Sequence, residues 1–141
     1  MFWYIFIILV GYLIGSINLS IVLSRKKGKD IREQGSGNAG ATNVLRSAGV
    51  LPGILTFVFD ALKGFVACYM GKIIFEYIFA QTGAELSKSI IGAYICGVAC
   101  MLGHIFPFFF GFKGGKGVAI SVGIFAVCCP IAIIVGLCVF I

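Results

Sequence analysis

Charge is what this sequence has least of. Only 11% of its 141 residues are charged, against about 25% in soluble domains. With 60% hydrophobic residues and a mean hydropathy of +1.11, the chain does not have the composition of an ordinary soluble domain. Acidic residues number five, and the aspartates are Asp30 and Asp60 alone, so chemistry built on a series of aspartates is excluded. There is a single histidine, His104. Cysteine is present, but no pair forms C-x-x-C, and Cys68, Cys96, Cys100, Cys128, Cys129 and Cys138 all lie in apolar runs. There they read as small hydrophobes in helix packing. Cys96 and Cys100 share a helix face, yet two thiols without further ligands make a poor zinc site, so no metal is expected.

What is abundant is apolar sequence in long runs. Four segments, residues 2–23, 50–74, 89–109 and 118–141, approach or exceed the roughly 20 residues a helix needs to cross a bilayer. The first lacks a basic leader and an A-x-A cleavage site, so it reads as a retained span. Its Gly11, Gly15, Ser16, Ser20 and Ser24 form the small-residue stripe of packed membrane helices. The expected fold is all-α: a polytopic integral membrane helix bundle, one membrane domain over residues 1–141. No repeat, linker or soluble domain is evident.

The charge that remains is unevenly placed. Arg25, Lys26, Lys27, Lys29, Arg32 and Arg46 share one segment with only Asp30 and Glu33. A basic cluster directly after a hydrophobic span marks the cytoplasmic side of a membrane, and no nucleic-acid partner is expected. The loop at residues 75–88 balances Lys88, with Lys72 just inside the span, against Glu76 and Glu85; the loop at 111–117 carries Lys113 and Lys116. Counting lysines and arginines puts the N-terminus outside and the loops at 25–49 and 111–117 together in the cytoplasm.

Those two loops hold most of the polar chemistry. Gly35, Gly37 and Gly40 spell G-x-G-x-x-G, but no strand precedes them and no βαβ unit fits, so a dinucleotide site fails on context. The glycines still let backbone N–H groups approach an anion. A helix starting near Ser36 or Asn38 would add its N-terminal field and place Asn38, Thr42 and Arg46 on one face. The alternative is a solvated loop with Ser36 or Asn38 as an N-cap. In the other loop, Gly114, Gly115 and Gly117 surround Lys116 without matching a Walker A loop. They form either an anion nest of backbone N–H groups or, with Lys113, an interfacial and topogenic turn. His104, near the end of the third segment, is either a packed side chain or part of this site. Asp60 and Lys63, three apart in an apolar run, form either a structural ion pair or the polar edge of a helix broken before Gly64.

Taken together, "GSINLSIVLSRKKGKDIREQGSGNAGATNVLRSAG" (15–49), "FDALKG" (59–64) and "GHIFPFFFGFKGGKGVA" (103–119) resemble the PlsY-type acyl-phosphate:glycerol-3-phosphate acyltransferases of bacterial plasma membranes. The resemblance implies a multi-pass plasma-membrane enzyme in membrane lipid, acting on acyl phosphate and sn-glycerol 3-phosphate. It would form lysophosphatidic acid and phosphate, the first step of phospholipid biosynthesis, without cofactor or metal. It places the functional serine on Ser36 and the arginine on Arg46, with Asn38, Thr42 and Asn43 between. The phosphate-binding motif falls on Gly114, Gly115, Lys116 and Gly117, with His104 upstream. Family members are longer and carry a further motif with a histidine and an asparagine. This chain ends at Ile141 without it and is expected to be a fragment or truncated copy.

The implied mechanism needs two anion cradles. Arg46 and the Ser36–Thr42 stretch would hold one phosphate, and the Lys116 loop the other while stabilising developing oxyanion charge. Ser36 has no adjacent base and reads as a hydrogen-bonding positioner. The hydroxyl proton goes either to His104 or to the departing phosphate. Soluble-donor acyltransferases use H-x-x-x-x-D, whereas the residue five after His104 is Phe109. The rival class is a small membrane transporter or channel for anionic or phosphorylated solutes, built from half-helices around Asp60 and Lys63. It would show inverted internal symmetry, and none is visible.

Overall fold

Large apolar side chains line the outside of this fold and small residues line its inside, the arrangement expected where lipid is the solvent. The structure is a computed structural model describing residues 2–26, 28–80 and 87–140. Lys27, Glu85 and Ile141, which entered the charge count and the segment ends above, lie outside the described residues.

Helix α1 (Phe2–Ser16) is followed, after two non-helical residues, by α2 (Leu19–Lys26). A short 3₁₀ turn (Ile31–Glu33) and α3 (Ala41–Ala48) build the first loop. Then come α4 (Val50–Ala80) and α5 (Ser87–Ile105), a 3₁₀ turn (Phe108–Phe110), α6 (Val118–Cys128) and α7 (Pro130–Phe140). Among the described residues, three stretches are long and apolar enough to cross a membrane: Phe2–Lys26, Val50–Ala80 and Lys88–Phe110.

Helix α4 shows the inside-out pattern most clearly. Gly53, Thr56, Asp60, Lys63, Gly64, Ala67, Cys68, Gly71 and Phe75 are buried, a stripe at spacings of mostly three and four. Ile54, Val58, Leu62, Val66, Tyr69 and Ile73 point outward and stay exposed. Glycines then set how closely the helices approach. On α4 and α5, a Cβ on Gly71 would meet the carbonyl of Gly92, and one on Gly92 would come 2.5 Å from the carbonyl of Gly71. On α1, a Cβ on Gly15 would collide with the Cys100 carbonyl of α5; on α6, one on Gly123 would collide with Ala61 of α4. Helix α5 therefore sits centrally, against α1, α4 and α6.

Three segment boundaries differ from the sequence expectation. The second segment does not break near Asp60: α4 runs unbroken through it for 31 residues, to Ala80 rather than residue 74. Its buried charges are paired, so the helix has no need to open there. The first segment does break, at Ile17 and Asn18. The fourth splits into two helices of 11 residues each, α6 and α7, because Pro130 cannot continue α6. The break falls on Cys129, whose backbone is non-helical at φ −153°, ψ 75°.

The small-residue stripe of the first segment divides its labour. Gly11 and Gly15 pack against α5. Ser20 Oγ donates to the Ala39 carbonyl at 2.6 Å, and Ser24 Oγ accepts from the Ile31 N–H at 3.0 Å, so α2 grips the first loop.

Candidate active site

The first loop is organised by one buried side chain, Asn43. Its Nδ2 donates to the carbonyls of Ile31, Gln34 and Asn38 at 3.1, 2.9 and 2.9 Å. Its Oδ1 accepts from the Ser36 N–H at 3.0 Å and from Ser47 Oγ at 3.4 Å. Gly35 and Gly37 turn the chain around this hub at φ +55° and +71°, conformations that favour glycine. The turn delays the helix: α3 starts at Ala41 after an extended Gly40, not near Ser36 or Asn38. Asn38 therefore lies before the helix rather than on a face with Thr42 and Arg46.

Arg32 ties this loop to the one at 111–117. Its guanidinium forks onto the Asp30 carboxylate at 3.0 and 2.8 Å and reaches the carbonyls of Phe110 at 2.7 Å and Lys113 at 3.3 Å. The hydrogen bonds from Arg32 hold the Asp30 carboxyl well below the usual carboxylate range, with Arg25 adding to the same effect. Asp30 in turn raises the Arg32 guanidinium. Both basic loops thus sit at one end of the bundle.

The 111–117 loop is folded back on the end of α5. Gly114 N–H donates to the Ile105 carbonyl and Gly115 N–H to the His104 carbonyl, each at 3.1 Å. These amides are therefore spent inside the protein, and no nest of free N–H groups forms at Gly114 and Gly115. The glycines serve close approach instead. A Cβ on Gly114 would strike the His104 carbonyl, and one on Gly115 would strike the His104 ring at Nε2.

Between the loops lies a cavity of about 320 Å³. Ser36, Asn38, Gly40, Thr42, Asn43 and Arg46 line it from the first loop and α3. Lys116, Gly117, Val118 and Ala119 line it from the third loop and the start of α6, and Phe57, Asp60 and His104 complete it. The first residues of α3 and of α6 thus face one space, and helix N-termini favour anions. Arg46 and Lys116 are exposed, while Asp60 and His104 are each only 2% exposed, so the cations stand at the rim and the buried groups at the base.

That base continues into a buried cluster. Lys63 Nζ lies 2.8 Å from Asp60 Oδ1, 3.0 Å from His104 Nδ1 and 2.7 Å from the Ile17 carbonyl, which the break after α1 leaves available. His104 Nδ1 is 3.6 Å from Asp60 Oδ1. Of the two alternatives left open by their spacing, Asp60 and Lys63 lie as an ion pair on an unbroken helix. The cluster joins α4, α5 and the break after α1, which a pairwise reading of the sequence missed.

Of the residues singled out from sequence, Ser36, Asn38, Gly40, Thr42, Asn43, Arg46, Asp60, His104, Lys116 and Gly117 converge on this cavity. Gly37, Lys113 and Gly114 instead line a neighbouring polar cavity with Asp30, Arg32 and Glu33. Gly35 packs on Asn43 and Gly115 on His104. Phe57, Val118 and Ala119 carried no chemical signal in sequence, since only helix placement brings them to the site.

A model of the family described as "Glycerol-3-phosphate acyltransferase" matches residues 5–141. The chain belongs to the glycerol-3-phosphate acyltransferase family. A Clostridioides difficile member named glycerol-3-phosphate acyltransferase is 43% identical over 141 residues, covering 99% of this chain and 66% of the relative. A Legionella pneumophila (strain Lens) member of the same name is 45% identical over 124 residues, covering 87% of this chain and 40% of the relative. The chain thus spans between two fifths and two thirds of these relatives. A crystal structure of PlsY (YgiH), an integral membrane glycerol 3-phosphate acyltransferase in its glycerol 3-phosphate form, superposes with a TM-score of 0.76. It is 38% identical, over 97% of this chain and 65% of that one. Its lysophosphatidic acid form superposes with a TM-score of 0.73. Like other members of this acyltransferase family, the chain is a multi-pass protein of bacterial membranes.

Proposed function

We propose that this chain carries a glycerol-3-phosphate acyltransferase site, which moves a fatty acyl group from acyl phosphate to the 1-hydroxyl of sn-glycerol 3-phosphate. The observation that carries the reading is the convergence of Ser36, Thr42 and Arg46 with Lys116 and Gly117 on one cavity. Both substrates bear phosphate. Two cations and two helix N-termini around one space provide for two such groups. Relatives named for this activity, and a solved relative in glycerol 3-phosphate and lysophosphatidic acid forms, support it.

In this reading Arg46, Thr42 and Ser36 hold one phosphate and orient the glycerol. Lys116 and the start of α6 hold the other and stabilise the oxyanion that develops on the acyl carbonyl. A C–O bond forms between the glycerol oxygen and the acyl carbon as the acyl–phosphate bond breaks. The hydroxyl proton ends on the released phosphate, giving hydrogen phosphate and lysophosphatidic acid. Acyl phosphate is already activated, so Ser36 acts as a positioner without a covalent intermediate. The excess of Arg and Lys at this end of the bundle favours a cytoplasmic site with the N-terminus outside. Asn43 belongs to the architecture of the loop more than to ligand binding, since its polar atoms are engaged internally.

The test is incorporation of labelled glycerol 3-phosphate into lysophosphatidic acid by the protein in lipid or detergent, with acyl phosphate and acyl-CoA offered in parallel. Product from acyl phosphate alone is expected. No product, or equal transfer from acyl-CoA, would refute the reading.

A further inference from the structure

His104 faces the proposed anion cavity, yet its hydrogen-bonding state is set from the opposite side. The Lys63 ammonium carries three N–H groups, all donors. Around it stand two hydrogen-bond acceptors, the Ile17 carbonyl at 2.7 Å and His104 Nδ1 at 3.0 Å, and the Asp60 carboxylate, paired by charge with Oδ1 at 2.8 Å. A proton on His104 Nδ1 would then point at a group with only protons to offer. The nearer alternative acceptor, Asp60 Oδ1 at 3.6 Å, is beyond hydrogen-bond reach. The lone pair of Nδ1 is therefore occupied by Lys63, and the ring proton resides on Nε2. That edge of the ring is turned to loop three, where a Cβ on Gly115 would strike Nε2.

We propose that His104 is a hydrogen-bond donor to the bound anion through Nε2–H, held in that tautomer by Lys63. The inference rests on the anion reading of the cavity and deepens it. With its Nδ1 lone pair committed and Nε2 protonated, neutral His104 has no site left to accept the glycerol hydroxyl proton. It is a donor that binds and polarises, and Lys63 is its positioning residue. Lys63 and Asp60 from α4 face the ring, and Arg46 from α3 and Lys116 from the third loop line the same cavity. The backbone follows the same logic: loop three passes the Nε2 edge at Gly115, where a side chain would strike the ring.

Because His104 is the sole histidine, ¹⁵N-histidine labelling reports on it without assignment. The protein in detergent should show a pyridine-like Nδ1 and a protonated Nε2, unchanged between about pH 5.5 and 8, the range in which a free histidine titrates. Glycerol 3-phosphate should move the Nε2 signal and leave Nδ1 pyridine-like. Lys63→Met should release the ring to a tautomer mixture that titrates, and Lys63→Arg should restore the single form. In turnover, His104→Gln, which keeps an N–H donor, should retain activity within about tenfold, whereas His104→Leu should lose about 100-fold or more, the span expected for removing a charge-facing donor. An Nδ1–H tautomer, an imidazolium across that range, or equal loss in the Gln and Leu variants would overturn the proposal. If glycerol 3-phosphate binds nowhere, the site reading fails while the tautomer remains measurable in the free protein.

Discussion

The guanidinium of Arg32 donates to the carbonyl of Phe110, 78 residues away, at 2.7 Å. Through that contact and the one to Lys113, the first loop fixes where the Lys116 loop begins. Arg32 lines a neighbouring cavity and stays outside the one holding Arg46 and Lys116. Arg32→Ala should therefore raise the KM for glycerol 3-phosphate by about tenfold with a smaller effect on kcat, the loss of one or two hydrogen bonds to a charged group. Arg32→Lys should recover only part, because a lysine cannot fork onto Asp30 while reaching a carbonyl. Steady-state kinetics of the two variants check this.

Asp30 supplies the pH dependence of the same clamp. Its carboxyl is held below the usual range, chiefly by hydrogen bonds from Arg32. A group whose folded pKa is depressed contributes stability that is complete above its unfolded value of about 3.9 and is lost only as pH falls through the folded value. The stability difference between the native protein and Asp30→Asn should hence be constant from about pH 5 to 9 and shrink only in stronger acid. Thermal unfolding in detergent across that range measures it, and a difference that vanished near neutrality would contradict the assignment.

Gly115 and Gly111 offer a matched pair. At Gly111 a Cβ meets open space, although its φ of +67° strains any other residue. At Gly115 the same Cβ would strike the His104 ring. Gly111→Ala should cost only about 1 kcal/mol of stability and little activity. Gly115→Ala should displace His104 and cut kcat/KM by an order of magnitude or more, roughly 1.4 kcal/mol of transition-state stabilisation. Thermal stability and turnover of both variants separate the two effects.

Lys63 and Asp60 should behave as a buried pair. Both side chains are no more than 5% exposed. Removing one partner leaves an uncompensated charge, so Lys63→Met should destabilise by about 3–5 kcal/mol. The double variant Asp60→Asn with Lys63→Met should recover a substantial part of that. Unfolding in detergent, run as a double-mutant cycle, gives the coupling directly.

The fold was legible because lipid demands what composition displays: apolar runs, small-residue stripes and basic turns. Among the described residues, the three long apolar stretches follow from that signal alone. The break at Pro130 was also visible in principle, but hydropathy averages over it. The break at Ile17 and Asn18 was not, because its partner is tertiary: the freed Ile17 carbonyl accepts from Lys63, 46 residues on. At the site, residue types gave the right neighbourhood and the wrong local geometry. Gly114 and Gly115 looked like an anion nest, yet their N–H groups close onto α5 and their missing side chains make room for His104. Asn43 looked like a ligand residue and proves to be the hub of its loop. Patterns of glycine and asparagine report where a backbone turns; only the fold decides which polar atoms remain for a ligand.

The central claim is that Arg46 and Lys116, from loops 70 residues apart in sequence, act on phosphate groups in one cavity. The most direct measurement is lysophosphatidic acid formation from acyl phosphate and labelled glycerol 3-phosphate by Arg46→Ala and Lys116→Ala, each verified as folded. The account predicts that each loses about 100-fold or more in kcat/KM, the scale of losing a charge-assisted contact to a transition-state anion. Turnover within a few-fold of the native protein in either variant would contradict it.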